Sequence, residues 1–219
     1  MISFPKKINF VIAIMSALLI IVIFSFHKTP TLDDKIKKLD FNDHSIYLIQ
    51  RGTTGKLGNL AKDFNLENKY ASHLGIGFVE NHQLIIYHVY VDKNKKNHHN
   101  LFIENISDFI KPEDLNYLSV WRLKDIDAEK LHDIRESLRK SEEENINFDY
   151  VFDKSDKEYY CSEFIVKTLL RNNITIMSEH RKKVTGMARQ ILQKDTLTYF
   201  PVDGFENTRR AEKILEWIK

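Results

Sequence analysis

Apolar and polar positions alternate with different periods along the 219 residues, and each period points to an element. "SIYLIQRG" (45–52) is a short apolar run closed by a glycine, the pattern of a strand. "TTGKLGNLAKDF" (53–64) carries Gly55 and Gly58 and suits a loop running into a short helix. "SHLGIGFVENHQLIIYHVYV" (72–91) predicts a β-hairpin turning near Asn81 and His82. "LNYLSVWRL" (115–123) predicts another strand. In "DAEKLHDIRESLRKSEEEN" (127–145), Leu131, Ile134 and Leu138 recur at helical spacing behind Asp127, a suitable N-cap. "CSEFIVKTLLRN" (161–172) predicts a second helix, with Phe164, Ile165, Thr168 and Leu169 on one face. "TRRAEKILEWIK" (208–219) reads as a terminal helix. Strands in series with helices packed on one side imply an α+β fold around an antiparallel sheet.

The hairpin allows a finer reading. With a turn centred between Asn81 and His82, Leu74 lies opposite Val89, Ile76 opposite Tyr87 and Phe78 opposite Ile85, which makes one apolar face. His73, Gly75, Gly77, His88 and Tyr90 share the other face. His73 is then paired with Tyr90 and is the diagonal neighbour of His88, about 7–8 Å away between backbones and closer between side chains. Gly75 and Gly77 remove side chains beside His73, which leaves room for a packed partner or a substrate.

Ile8 to Phe26, "INFVIAIMSALLIIVIFSF", holds no charge over 19 residues. As a helix it would be about 28 Å long, close to the hydrocarbon thickness of a bilayer. A cleavable signal peptide would have a shorter apolar region and small residues at its end. This run ends in "FSFHKTP", so an uncleaved single-pass anchor is expected, with residues 1–27 as the transmembrane segment. Lys6 and Lys7 favour a cytoplasmic N-terminus, which would place the remainder in the periplasm or outside the cell. Residues 28–43 read as a linker and 44–219 as one domain.

Composition narrows the function. The formal net charge of +2 gives little support to nucleic-acid binding, which needs a basic face. The run "KNKKNHH" (93–99) is short and reads as a solvated loop. A single cysteine excludes an internal disulfide and a multi-cysteine zinc site. No H-E-x-x-H helix is present, and neither metal nor cofactor is expected.

That one cysteine, Cys161, stands where a helix is predicted to start. Exposed N–H groups and the helix dipole lower a thiol pKa there. A nearby imidazole takes the proton and a second polar group orients that imidazole, the arrangement used for acyl transfer. Cys161, His73 and His88 supply these parts, and the Cys161 N–H is placed to meet an oxyanion. Glu163, in the first helical turn, is expected mainly as a dipole or capping partner, with substrate contact as a second role.

Ser72-His73-Leu74-Gly75-Ile76, Phe148-Asp149-Tyr150-Val151-Phe152-Asp153 and Tyr160-Cys161-Ser162-Glu163 together resemble the YiiX/YebB-like branch of the NlpC-type cysteine hydrolases. The resemblance spans roughly residues 44–205. It implies a circularly permuted papain-like fold, which explains why the histidine precedes the cysteine. It further implies a catalytic Cys161, a base at His73 and a third polar group near His88. Gly75, Tyr160 and Glu163 are the positions expected to line the substrate. The implied activity is hydrolysis of an amide or ester, on a peptide, cell-wall or acyl-lipid substrate. An amidase or peptidase of the cell envelope is the first expectation. A lipid acyltransferase or thioesterase of the same fold, and a non-catalytic binding module, are the rivals.

Overall fold

The computed structural model describes residues 30–91, 99–153 and 157–219. The chain divides into two compact units, residues 1–38 and 39–219. In the first, the stretch expected as linker holds a short helix, α1 (Leu32–Lys37). Thr31 caps it through a reciprocal pair with Asp34, the hydroxyl accepting from the Asp34 N–H and the carboxylate from the Thr31 N–H.

The second unit is built on a six-stranded sheet. Its strands are β1 (Ile46–Thr53), β2 (His73–Glu80), β3 (Gln83–Val89), β4 (Leu101–Asn105), β5 (Leu115–Leu123) and β10 (Ala211–Ile218), in the order β10-β5-β1-β2-β3-β4. Every neighbouring pair is antiparallel. The expected α+β class with an antiparallel sheet is therefore the observed one. The β2–β3 turn is made by Asn81 and His82 alone, both at positive φ (49° and 63°). A two-residue turn of that hand matches strand twist and leaves a single register. Ile76 pairs with Tyr87, Gly77 with Ile86 and Phe78 with Ile85, as the hydrophobic alternation requires.

Two helices cover the apolar face. α4 (Ala128–Glu143) starts at Asp127, whose carboxylate accepts from the Lys130 N–H at 2.8 Å. It buries Leu131, Ile134 and Leu138. α5 (Cys161–Arg171) buries Phe164, Ile165, Thr168 and Leu169. The apolar residues among these share one core with Leu48, Leu74, Ile76, Phe78 and Tyr87 of the sheet. Each such side chain contributes about 1.5–3 kcal/mol on leaving water. Two short strands, β6 (Asn147–Phe148) and β7 (Glu158–Tyr159), pair in parallel ahead of α5, and a smaller apolar cluster lies next to the start of that helix. It joins Val184, Leu197 and Tyr199 of the hairpin β8 (His180–Lys183)/β9 (Thr196–Tyr199) to Ala188 and Leu192 of α6 (Gly186–Leu192). Tyr160 belongs to it, with Leu60 of α2 (Lys56–Lys62) and Phe64 packed alongside.

Two expectations are corrected. "AEKILEWI" is strand β10, not a helix: it adds its backbone hydrogen bonds to β5, with a register shift between Lys213 and Leu215. Its Ala, Glu, Lys and Leu favour helix, but an open sheet edge beside it outweighs that small preference. The membrane-spanning helix and the single-pass placement are also overturned. Among the described residues no helix is long and apolar enough to cross a membrane. A span needs about 20 apolar residues, whereas the longest described helix, α4, has 16 and is largely charged on its open side. Residues 8–26, on which that expectation was placed, lie outside the described residues.

Candidate active site

The hairpin brings the two histidines together. His73 opens β2 and His88 lies near the end of β3, and their rings meet edge to face with Nε2 of His73 2.9 Å from Nδ1 of His88. The other nitrogen of His88, Nε2, lies 3.2 Å from Oε2 of Glu104 on β4. The chain His73–His88–Glu104 thus runs from an inner strand toward the sheet edge. β4 leads into a one-turn helix, α3 (Ile106–Phe109), capped by Asn105, which accepts from the Asp108 N–H. That turn sets the Phe109 ring against both imidazoles, at centroid distances of 5.9 Å to His73 and 5.1 Å to His88.

These contacts determine the tautomers. Ionised Glu104 accepts only, so His88 carries its proton on Nε2 and offers Nδ1 as acceptor. His73 must then donate from Nε2, and its Nδ1 is left with a free lone pair. Through His88, the Glu104 carboxylate therefore fixes the tautomer of His73.

Cys161 is the first residue of α5, and the residue is 8% exposed. The N–H of Leu74, the residue after His73, is directed at the sulfur, as are those of Cys161 and Ser162. The turn that carries the thiol is strapped down at both flanks. The Tyr160 hydroxyl accepts from the Phe200 N–H at 2.8 Å, and the Ser162 hydroxyl donates to the Phe200 carbonyl at 2.7 Å.

Burial governs the proton equilibria. It pushes the Cys161 thiol up from its ordinary value, and the three N–H groups and the Arg51 charge offset this only in part. The expected depression of that pKa is thus reversed in direction, because the loss of solvent outweighs the helix start. Burial first, then Arg51 and His88, hold His73 well below the usual histidine range. Burial also brings His88 down to about 4, against the pull of Glu104. The hydrogen bond from His88 keeps Glu104 below the ordinary carboxylate value. At neutral pH the resting site is a thiol beside two neutral imidazoles and one carboxylate.

The remaining candidates take other places. A Cβ on Gly75 would lie 2.6 Å from Cγ2 of Ile86 and 3.3 Å from the Phe109 ring, so the space there is filled by the protein itself. Tyr160 is buried, with its hydroxyl engaged and its ring against Phe152 at 4.6 Å. Glu163 is buried and pairs with Lys167 at 3.1 Å. Its pKa is raised by burial, with the Lys167 contact opposing. Asp149 receives the N–H groups of Val151 and Phe152 at 2.8 and 2.6 Å and shapes the approach to Cys161. Among the described residues no group of three or more His, Cys, Asp and Glu side chains has the arrangement of a metal site.

Glu104 and Arg51 are the site residues that reading the sequence missed. Glu104 lies in "LFIEN", whose alternation marks a short strand, but its register to His88 depends on residues 92–98, which connect the strands without a pattern. Arg51, at the end of "SIYLIQR", looked like an ordinary polar strand end. It is directly opposite His73 in the β1–β2 register.

No family model matches the chain, and no curated protein matches it. Among solved structures it is similar to the crystal structure of the metalloprotein YiiX from Escherichia coli O157:H7, of the DUF1105 family, with a TM-score of 0.62 at 12% identity. The match covers 82% of this chain and 100% of that one. At this identity the likeness concerns the fold.

Proposed function

We propose that the chain is a thiol hydrolase of the permuted papain-like kind, cleaving an amide or ester bond through an acyl-enzyme on Cys161. The observation that carries this reading is the polarised relay from Glu104 through His88 to His73, ending beside the backbone N–H of Leu74 that faces the Cys161 sulfur. A buried polar relay that ends one residue before the N–H facing the thiol has little structural purpose, since apolar packing would stabilise the same strands at lower cost.

The resting groups being neutral, proton transfer accompanies attack. The Cys161 S–H proton moves to Nδ1 of His73 as sulfur bonds to the substrate carbonyl carbon. The oxyanion forms near the Cys161 N–H at the start of α5. Imidazolium on His73 is stabilised through His88 by Glu104. The carbonyl–nitrogen or carbonyl–oxygen bond then breaks, and the leaving group takes the proton from His73. Water, deprotonated by His73, attacks the thioester and releases the acid, and the thiol regains its proton. Amidase or peptidase action is favoured, because the proton that His73 takes up during attack is then available to the amine, a poor leaving group without it.

The test is p-nitrophenyl acetate with stopped-flow absorbance and intact-mass detection. A burst of nitrophenolate with an acetyl group on Cys161, slowed at least about 100-fold in His73→Ala, supports the proposal. Absence of both burst and adduct in the folded protein would make it a non-catalytic binding module.

A further inference from the structure

Arg51 poses a problem that the relay does not solve. Its side chain is buried, only 4% exposed, yet it forms no ion pair among the described residues. Its one hydrogen bond is from Nη1 to the Phe109 carbonyl at 2.7 Å, a neutral acceptor. The guanidinium is covered by the rings of Phe109 at 4.5 Å and Tyr90 at 5.0 Å to the centroids. Arg is always charged in proteins, and an unneutralised buried charge is costly. Nearby acids act on it only through space: Glu104 is bonded to His88 and Asp114 accepts from the Gly55 N–H, and neither carboxylate bonds the guanidinium. The other neighbours, His73, His88 and Cys161, are neutral at rest.

The form of the pocket indicates what is missing. Aromatic rings pack against the guanidinium, and apart from the Nη1 bond to Phe109 its N–H donors have no acceptor among the described residues, the donor set that a planar or tetrahedral oxyanion takes. The strand register puts Arg51 directly opposite His73, and Arg51 is close enough to Cys161 to favour its thiolate electrostatically. Tyr90, 41% exposed, packs on both Arg51 and His73 and borders the site on the solvent side.

We propose that Arg51 is the receptor for an anionic group, a carboxylate or a phosphate, that the substrate carries close to the carbonyl attacked by Cys161. The proposal deepens the hydrolase reading and names its substrate class: acyl compounds with an acidic group next to the scissile bond. The anion would supply the negative charge that the fold withholds from Arg51.

The probe is a pair of alkylating reagents of nearly equal size, iodoacetate and iodoacetamide. Both transfer a two-carbon group to Cys161 with loss of iodide, but only the first carries a carboxylate. The ratio of their second-order rates at Cys161, relative to the same ratio for glutathione in the same buffer, should favour iodoacetate by roughly tenfold or more, the scale of one charge-assisted hydrogen bond. In Arg51→Met that preference should fall to the glutathione value, and Arg51→Lys should retain part of it, with thermal unfolding followed for both. A wild-type ratio equal to that of glutathione, or a preference that survives in Arg51→Met, overturns the proposal. Should Cys161 react with neither reagent, the hydrolase reading fails first, and the anion site is then judged on Cys161→Ala protein. There, acetate and inorganic phosphate are titrated while the His73 ring resonances are followed by NMR. Saturable shifts abolished by adding Arg51→Met uphold the site, and the tighter of the two ions identifies carboxylate or phosphate. No saturable shift overturns it.

Discussion

The thiol of Cys161 faces three N–H groups that favour its anion, yet burial is the larger influence and pushes its pKa up. His73 is moved the opposite way, well below its usual value. The two shifts separate the partners and leave the neutral pair as the resting state. Alkylation of Cys161 by iodoacetamide should therefore follow a titration midpoint above the free-thiol value of about 8.5. A midpoint near neutrality would show a preformed thiolate–imidazolium pair instead. Cys161→Ser should lose turnover while keeping its thermal unfolding temperature, since the hydroxyl is similar in size but a far weaker nucleophile. Glu104 bonds the far side of His88, so in the proposed mechanism it is a positioning residue. Glu104→Gln retains an acceptor for the His88 N–H but loses the charge, so kcat/KM should fall about 10- to 100-fold, and Glu104→Ala should fall further. NMR titration of the His88 ring would separate this from a structural effect. Its midpoint of about 4 should move lower in Glu104→Gln, because the carboxylate is what raises it against burial.

At the scale of elements, the site depends on how the chain enters β2. Asp203 is buried and accepts the N–H groups of Leu66, Glu67 and Asn68 at 2.7–2.9 Å. This holds the loop that delivers His73 to its place. The Asn68 amide extends the contact to the Tyr117 hydroxyl at 2.9 Å and to Glu206 at 2.7 Å, and Glu206 in turn accepts from Gln50 on β1 at 2.8 Å. Asp203→Ala leaves these donors without a partner. At about 1–3 kcal/mol for each buried unsatisfied group, it should lower stability by roughly 3 kcal/mol or more, measured by urea unfolding. A loss below about 1 kcal/mol, the scale of a single hydrogen bond, would mean that water replaces the carboxylate. Gly52 serves the same approach, since a Cβ there would run into the Tyr70 carbonyl. The opposite end needs no such anchoring: the two-residue turn at Asn81 and His82 fixes the hairpin by itself.

For the whole molecule, the buried histidines set an acid limit. Both have folded pKa values below the unfolded value near 6.5. As pH falls through 6.5 the unfolded chain takes up their protons first, so stability is complete above that value and declines toward about 4, where His88 titrates in the fold. The slope approaches about 1.4 kcal/mol per pH unit for each imidazole. Asp149, Glu163 and Glu206, raised by burial, act in the opposite sense at the acid end of this window. Urea unfolding from pH 7 to 4.5 should show the decline, and His88→Gln should flatten it by about one proton. A slope unchanged in that variant would mean that His88 does not titrate between the two states.

What the chain determines by itself is what local geometry transmits. The alternation on either side of Asn81 and His82 allows one tight turn and one register, and that register alone puts His73 and His88 on one face. The polar approach followed by an apolar helical run likewise marks Cys161 as the start of α5. Only the tertiary structure decided the rest. Glu104 and Arg51 reach the histidines from β4 and β1, across connections whose length and register no pattern dictates. Strand β10 was decided by an open edge of β5, which a window of its own residues does not contain. The pKa directions at Cys161 and His73 follow from desolvation, a sum over every neighbour that excludes water, and the order of residues along the chain does not specify those neighbours.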